Sequence, residues 1–188
     1  MATGLADVRG FVVVLLNSYV NPAHELAVRR IAEEELPSVP VSLSHEIAPI
    51  WREYERGTTV TVDAFTKTLF ERYVDGVTTA LRDEGVSSSW SLLKSNGGHA
   101  LADEVRHRPA HLLLSGIAGG GIGGATMARA AGVSDAIALD MGGTSCDVCV
   151  VLGGEPLYGS DFEVEFGFPV SVPSVSTRTI GAGGGSIG

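Results

Sequence analysis

The residues best suited to chemistry are Asp140-Met141-Gly142-Gly143-Thr144-Ser145, where a carboxylate, two glycines and two hydroxyls adjoin. Paired glycines let the backbone turn at positive φ and bring N–H groups close to an anion, and Thr144 and Ser145 add hydroxyl donors. Asp140 repels a phosphate, yet it can hold a Mg²⁺ or its waters against one. The pattern describes a phosphate and metal corner; a plain β-hairpin with an incidental Asp is the competing reading. The flanks predict strand, tight glycine turn, strand over residues 136–152, since 136–139 is apolar and 146–152 is β-branched.

The two cysteines, Cys146 and Cys149, lie on the second of these strands. Residues three apart on a strand face opposite ways, so packing is favoured over zinc binding or thiol exchange. A single CxxC also cannot close a four-ligand zinc site. No disulfide framework is expected.

Among 188 residues, 22 acidic against 13 basic give a formal net charge of −9, with 44% hydrophobic residues. The balance fits a globular chain and argues against a nucleic-acid partner, which needs a basic footprint. The apolar run 11–16 is too short for a membrane span and lacks the flanks of a signal peptide. A cytoplasmic protein with no membrane partner is expected.

Residues 11–16 predict a strand buried on both faces. Asn21 can cap a helix that begins at Pro22, carries Val28, Ile31, Ala32 and Leu36 on one stripe, and ends at Pro37. Val39, Val41 and Leu43 suggest a short edge strand. Val62, Phe65, Leu69, Tyr73, Val77 and Leu81 then fall three or four apart, predicting a long helix over 59–84 stopped by Gly85. Residues 89–94 suit a strand leading to an Asn96-Gly97 turn, whose amides could alternatively line a pocket.

Residues 111–114 predict another buried strand, followed by a glycine-rich loop at 115–124 and a small-residue helix at 125–131. Gly119, Gly121 and Gly124 match GxGxxG, which raises a dinucleotide-binding domain as a competitor. The following strand–turn–strand does not continue a β-α-β repeat, and glycines that let a helix approach a sheet or an anion are the alternative. Gly153-Gly154-Glu155-Pro156 predicts a turn, and residues 157–158 a third antiparallel strand. Over 162–168, Glu163 and Glu165 alternate with Phe162, Val164 and Phe166, which fits a solvated strand face better than a metal site. The chain closes on a second glycine run at 181–185. With no rigid element after that run, and an opening β-α-β stretch of about sixty residues too short to build a lobe with its own core, the chain is expected to be cut at both ends.

DMGGTSCDV at 140–148, TIGAGGGSI at 179–187, NSYVNPAHE at 17–25, EYERGTT at 53–59 and SNGG at 95–98 together resemble the hydantoinase A / 5-oxoprolinase family. That family includes acetone carboxylase β-type subunits. The resemblance implies an incomplete α/β chain of the actin-like, ribonuclease-H-like and sugar-kinase-like ATPase fold, with a mixed sheet and glycine hairpin loops. Its division is the tail of a first lobe at 1–56, a connecting helix at 57–84 and a partial second lobe at 85–188. It also implies ATP-dependent opening of a cyclic amide or imide such as hydantoin, 5-oxoproline or another lactam, with a hydantoinase B-type companion.

Carried over residue by residue, Asp140 holds Mg²⁺, Gly142, Gly143, Thr144 and Ser145 contact phosphate, and Asp147 is a second acid that could instead brace the turn. Gly181, Gly183, Gly184, Gly185 and Ser186 form a second glycine-lined wall of the same cleft. Three departures stand out: Cys146 replaces the family's usual Thr, Ile117 its Pro, and Arg178 its His. The first-lobe hairpin and the adenosine-binding segment are not recognisable in the chain, so the 188 residues alone are expected not to hydrolyse ATP at a meaningful rate. A catalytically silent scaffold for a partner subunit is the alternative, with the dinucleotide-binding domain behind it.

Overall fold

A computed structural model describes residues 8–164 and 167–186. In chain order it opens with β1 (Phe11–Val13), α1 (Ala23–Glu35), β2 (Val41–Leu43), α2 (Ser44–Ile47) and α3 (Glu53–Asp83). There follow β3 (Ser91–Leu93), β4 (His99–Leu101), α4 (Ala102–Val105), a 3-10 turn (Pro109–Leu112) and α5 (Ser115–Ala130). The remainder is strand: β5 (Ala136–Met141), β6 (Cys146–Leu152), β7 (Glu155–Pro156), β8 (Tyr158–Gly159), β9 (Phe162–Val164), β10 (Phe168–Val170), β11 (Ser174–Val175) and β12 (Thr177–Ile180). The architecture is mixed α/β with several small sheets. Among the described residues no helix is long and apolar enough to cross a membrane.

Two compact units divide the chain, one from residues 8–88, 106–110 and 162–172, the other from 89–105, 111–161 and 173–186. In the first, β1 and β2 pair in parallel, with Phe11 opposite Val41. The predicted strand over 11–16 is cut short at Val13, and Leu16 is exposed. Side chains, not a neighbouring strand, take up the backbone beyond it. The Leu15 N–H donates to Glu25 at 3.0 Å, its carbonyl accepts from Arg56 at 2.7 Å, and Asn17 turns the chain at φ 58°. The first helix begins one residue later than expected, at Ala23, whose N–H still donates to the Asn21 side chain at 3.1 Å.

The long helix is present and starts earlier, at Glu53, with Glu53 and Glu55 in its first turn and Arg82 in its last, matching the helix dipole. Gly85, at φ 79°, follows its end. Its buried side, however, is Arg56, Thr59, Val60, Asp63 and Val74, whereas Phe65, Leu69 and Tyr73 of the predicted apolar stripe are exposed. The polar members of that side are partnered. Arg56 donates to Ser44 and to the Ile50 and Leu15 carbonyls, Thr59 Oγ1 accepts from the Ser171 N–H, and Asp63 accepts from the Ala110 N–H. The predicted strand at 162–168 is instead the first arm of a hairpin, Phe162–Val164 against Phe168–Val170, and Glu165 and Phe166 lie outside the described residues.

In the second unit the predicted Asn-Gly turn joins β3 to β4, with Gly97 at φ 81°. The predicted strand at 111–114 and the glycine loop after it are both overturned: 109–112 is a 3-10 turn, and 115–130 is one continuous helix. Glycine is a poor helix former, so packing must hold α5 together. Its small residues form one face, with Ala118, Gly121 and Ala125 buried, and this face lies on β5 and β6. A Cβ on Gly124 would stand 2.4 Å from that of Ala138, and one on Gly121 would stand 2.8 Å from the Cys149 sulfur. The glycines thus serve close helix–sheet approach, and the loop that a GxGxxG dinucleotide site requires does not exist.

Strand β6 is central, pairing antiparallel with β5 along one edge and with β12 and β7 along the other. The third antiparallel strand is therefore 155–156, reached through Gly153 and Gly154 at φ 61° and 84°, while Tyr158 pairs with Val175. Ala118, Cys149 and Val175 centre the core of this unit, with Ile122 and Ala138 packed against them.

Candidate phosphate site

The β5–β6 register places Asp140 opposite Asp147, and β12 places Thr179 on the other side of Asp147. Directly opposed residues share a face, so the three side chains form a row across the sheet. Two residues further from the turn, Ala138, Cys149 and Thr177 continue that face, which α5 covers. Cys146 lies on the opposite face from Cys149, as strand alternation demands; both are buried with free thiols, and burial pushes the Cys149 thiol pKa up. Asp147 accepts a hydrogen bond from Thr179 Oγ1. Asp140 is exposed and, among the described residues, takes no hydrogen bond or ion pair. Its Oδ2 lies 2.7 Å from where a Cβ on Gly120 would be.

Beyond this row the Gly142 N–H donates to the Ser145 carbonyl at 2.9 Å, leaving Gly143-Thr144 as the exposed apex of the hairpin. Gly142 and Gly143 are not in the left-handed region, contrary to the expectation of positive φ. Packing does not require glycine at 143 either, because a Cβ there would meet nothing within 4 Å. Among the described residues no backbone carbonyl accepts from the N–H of Gly143 or Thr144.

The second glycine run lies directly on this apex. Gly184 and Gly185 donate to the carbonyls of Gly142 and Gly143 at 2.9 and 2.8 Å. Within the run, the Ser186 N–H donates to Gly183 O at 3.0 Å, and Gly183 N–H to Ser186 Oγ at 3.1 Å. A Cβ on Gly183 would fall 2.5 Å from Gly143 C and Thr144 N, so backbone stacks on backbone. The structure therefore gathers Asp140, Gly142, Gly143, Thr144, Ser145, Asp147 and Gly183–Ser186 at one end of one sheet; Gly181 is exposed with open space around its Cα, and Ile187 lies outside the described residues. Sequence reasoning left Thr179 and Gly120 without a role. Thr179 is legible only through its register with Asp147, 32 residues away in sequence, while the small-residue spacing of Ala118, Gly121 and Ala125 was a signal for the helix that carries Gly120.

The donor set fits a phosphate: two N–H groups on exposed residues without backbone acceptors among the described residues, two hydroxyls, and room where a Cβ is missing. For a metal it offers less. Among the described residues no group of three or more His, Cys, Asp or Glu converges, so Asp140 suits a Mg²⁺ that keeps water and phosphate oxygens as its other ligands. A separate apolar groove in the first unit, lined by Tyr54, Val62, Phe65 and Phe168, holds none of these residues.

The chain is a member of the hydantoinase/oxoprolinase family, whose model matches residues 56–188. Among its relatives, the caprolactamase subunit alpha of Pseudomonas jessenii is 32% identical over 96% of this chain and 26% of its own length. The crystal structure of that ATP-dependent caprolactamase superposes with a TM-score of 0.81 at 32% identity, over 94% of this chain and 26% of that one. A nucleotide-free acetone carboxylase, an enzyme of ATP-dependent acetone carboxylation, superposes with a TM-score of 0.83 at 28% identity, covering 95% and 25%. The chain thus spans between 13% and 28% of the length of the curated relatives it matches.

Proposed function

We propose that the apex at 142–145 is the phosphate corner of an ATP-dependent enzyme that opens a cyclic amide or imide by phosphorylating its carbonyl oxygen. The observation that carries this reading is Gly143: neither its φ nor any neighbour calls for glycine, and its missing Cβ leaves room beside two N–H donors without backbone acceptors. The ATP dependence of both the caprolactamase and the acetone carboxylase supports it. In this reading residues 1–56, 57–84 and 85–188 are the tail of one lobe, the connecting helix and part of the second lobe of an actin-like ATPase fold. The alpha-subunit name of the caprolactamase relative supports a companion subunit of the hydantoinase B type.

An amide carbonyl is a poor electrophile, which is why ATP is needed. The ring carbonyl oxygen displaces ADP from the γ-phosphorus, and water adds to the activated carbon. The C–N bond then breaks as the nitrogen takes a proton, and a second water releases phosphate from the acyl phosphate. The Gly143 and Thr144 N–H groups and the Thr144 and Ser145 hydroxyls hold the phosphate oxygens where charge gathers. Asp140 would hold a Mg²⁺ or its waters, which would supply positive charge beside the phosphates. Asp147, held by Thr179, supplies a second negative charge beside it.

The test incubates the full-length protein and its companion with ATP and hydantoin, 5-oxoproline and caprolactam in turn. Equimolar ADP and ring-opened acid from one of them is the expected result. ADP formation coupled instead to carboxylation of a ketone in bicarbonate would overturn the ring-opening assignment.

A further inference from the structure

We infer that Gly184 and Gly185 are positioning residues that aim the apex amides at a phosphate without touching it, an inference that rests on the phosphate-corner reading above. In a trans peptide the C=O and the N–H of the next residue point in opposite directions, and no described peptide is cis. The Gly142 carbonyl is drawn to the Gly184 N–H and the Gly143 carbonyl to the Gly185 N–H, at 2.9 and 2.8 Å. The N–H groups of Gly143 and Thr144, which belong to those same two peptides, must therefore point away from the second loop. Both residues are exposed, and neither N–H has a backbone acceptor among the described residues.

Exposed glycine peptides otherwise flip at little cost, because glycine occupies both signs of φ. Two hydrogen bonds from the second loop hold both peptides in the donating orientation before any ligand arrives. The second loop is itself rigidified by the Gly183–Ser186 exchange of bonds, and Gly183 and Gly185 must lack a Cβ for it to lie so close. A Cβ on Gly183 would be 2.5 Å from Gly143 C, and one on Gly185 would be 2.9 Å from Gly143 O. Preorganised donors of this kind need no reorientation when charge develops, which is their advantage over mobile ones.

The test is site-resolved amide hydrogen exchange on the full-length protein, with and without ATP and Mg²⁺. The amides of Gly184 and Gly185 are expected to exchange slowly already without nucleotide and to change little on adding it, while those of Gly143 and Thr144 become protected only with ATP. Protection of Gly184 and Gly185 that appears only with ATP would overturn the positioning role and make them phosphate ligands. ATP binding that leaves both loops unchanged would instead overturn the phosphate-corner reading itself.

A pair of variants adds a second readout. Gly184→Pro removes the donor to Gly142, and it is expected to abolish the ATP-dependent protection and weaken ATP binding by about tenfold to a hundredfold, the range for losing charge-assisted hydrogen bonds. Gly184→Ala keeps the N–H, and its Cβ would meet Gly142 O at an ordinary 3.7 Å, so it is expected to restore both. Equal binding by a folded Gly184→Pro protein and the wild type would contradict the inference.

Discussion

Asp140 and Asp147 face each other across adjacent strands, yet only Asp147 has a partner among the described residues, the hydroxyl of Thr179. The pair therefore divides into a carboxylate open to a cation or water and a carboxylate tethered to the neighbouring strand.

Substitution separates the two roles of Asp147. Asn keeps an oxygen that can accept from Thr179 but removes the charge. Asp147→Asn is expected to leave urea-unfolding stability within about 0.5 kcal/mol, while lowering the ATPase rate of the full-length protein by at least about tenfold, ~1.4 kcal/mol in the barrier. Thr179→Val is expected to cost about 0.5–1.5 kcal/mol of stability, one hydrogen bond. An Asp147→Asn enzyme with the wild-type rate would reduce Asp147 to a brace.

Two neighbouring glycines of α5 are expected to respond oppositely to alanine. Gly123 has nothing within 4 Å of its missing Cβ, so Gly123→Ala should stabilise by about 0.5–1 kcal/mol through helix propensity. Gly124 lies against Ala138, with only 2.4 Å available between the β-carbons. Overpacking there costs typically about 1–3 kcal/mol, and Gly124→Ala should lower stability despite the same propensity gain. Urea midpoints of the two variants measure the contrast, and stabilisation by both would mean that the helix does not sit this close to the sheet.

The stability of the first unit should depend on pH through two buried carboxyls of opposite behaviour. Burial alone would push the Glu25 pKa up, but hydrogen bonds from the Ser44 and His45 side chains and from the Leu15 and His45 N–H groups outweigh it and bring the value down to about 2 from 4.5. Its contribution is therefore complete above pH 4.5 and is lost as pH falls toward 2. Asp63 behaves in the reverse sense: burial, resisted by the Ala110 N–H and by Lys67 and Arg108, raises it to about 6 from 3.8, and Oδ2 has no hydrogen-bond partner among the described residues. The folded state holds this proton more tightly, so stability is lost as pH rises from 3.8 through 6. Unfolding midpoints against pH should lose the acid-side slope in Glu25→Gln and the slope toward neutrality in Asp63→Asn. The second variant buries no charge and should be more stable than wild type at pH 7, by on the order of 1–3 kcal/mol for a carboxyl held up to about 6 from 3.8. A less stable Asp63→Asn at pH 7 would show that the charge is needed.

The parts of this site that are local in sequence were legible in it. The hairpin at 136–152 follows from an apolar run and a β-branched run on either side of Gly142-Gly143, and the long helix follows from its three-and-four spacing. What misled was residue composition read without partners. Residues 115–124 carry the glycine content of a loop, but they fold as a helix because the sheet beneath accepts a helix without side chains, as Gly121 on Cys149 and Gly124 on Ala138 show. Residues 111–114 are a four-residue apolar run, too short for periodicity to separate strand from helix. The buried side of α3 was hidden because it is built from Arg56, Thr59 and Asp63, polar residues whose burial makes sense only once Ser44, Ser171 and Ala110 are seen to answer them. The stacking of Gly183 on Gly143 joins segments 40 residues apart in sequence and leaves no local mark.

The central claim, that the apex at 142–145 binds the phosphates of ATP with a cation at Asp140, is tested most directly by calorimetric titration of the chain with ATP in the presence and absence of Mg²⁺. Asp140→Ala and Gly143→Ala serve as variants. The account predicts Mg²⁺-dependent binding that Asp140→Ala removes and that Gly143→Ala weakens by at least about tenfold, ~1.4 kcal/mol. Gly143→Ala should leave the fold intact, because its Cβ enters open space. ATP binding of unchanged strength in both variants would contradict the account.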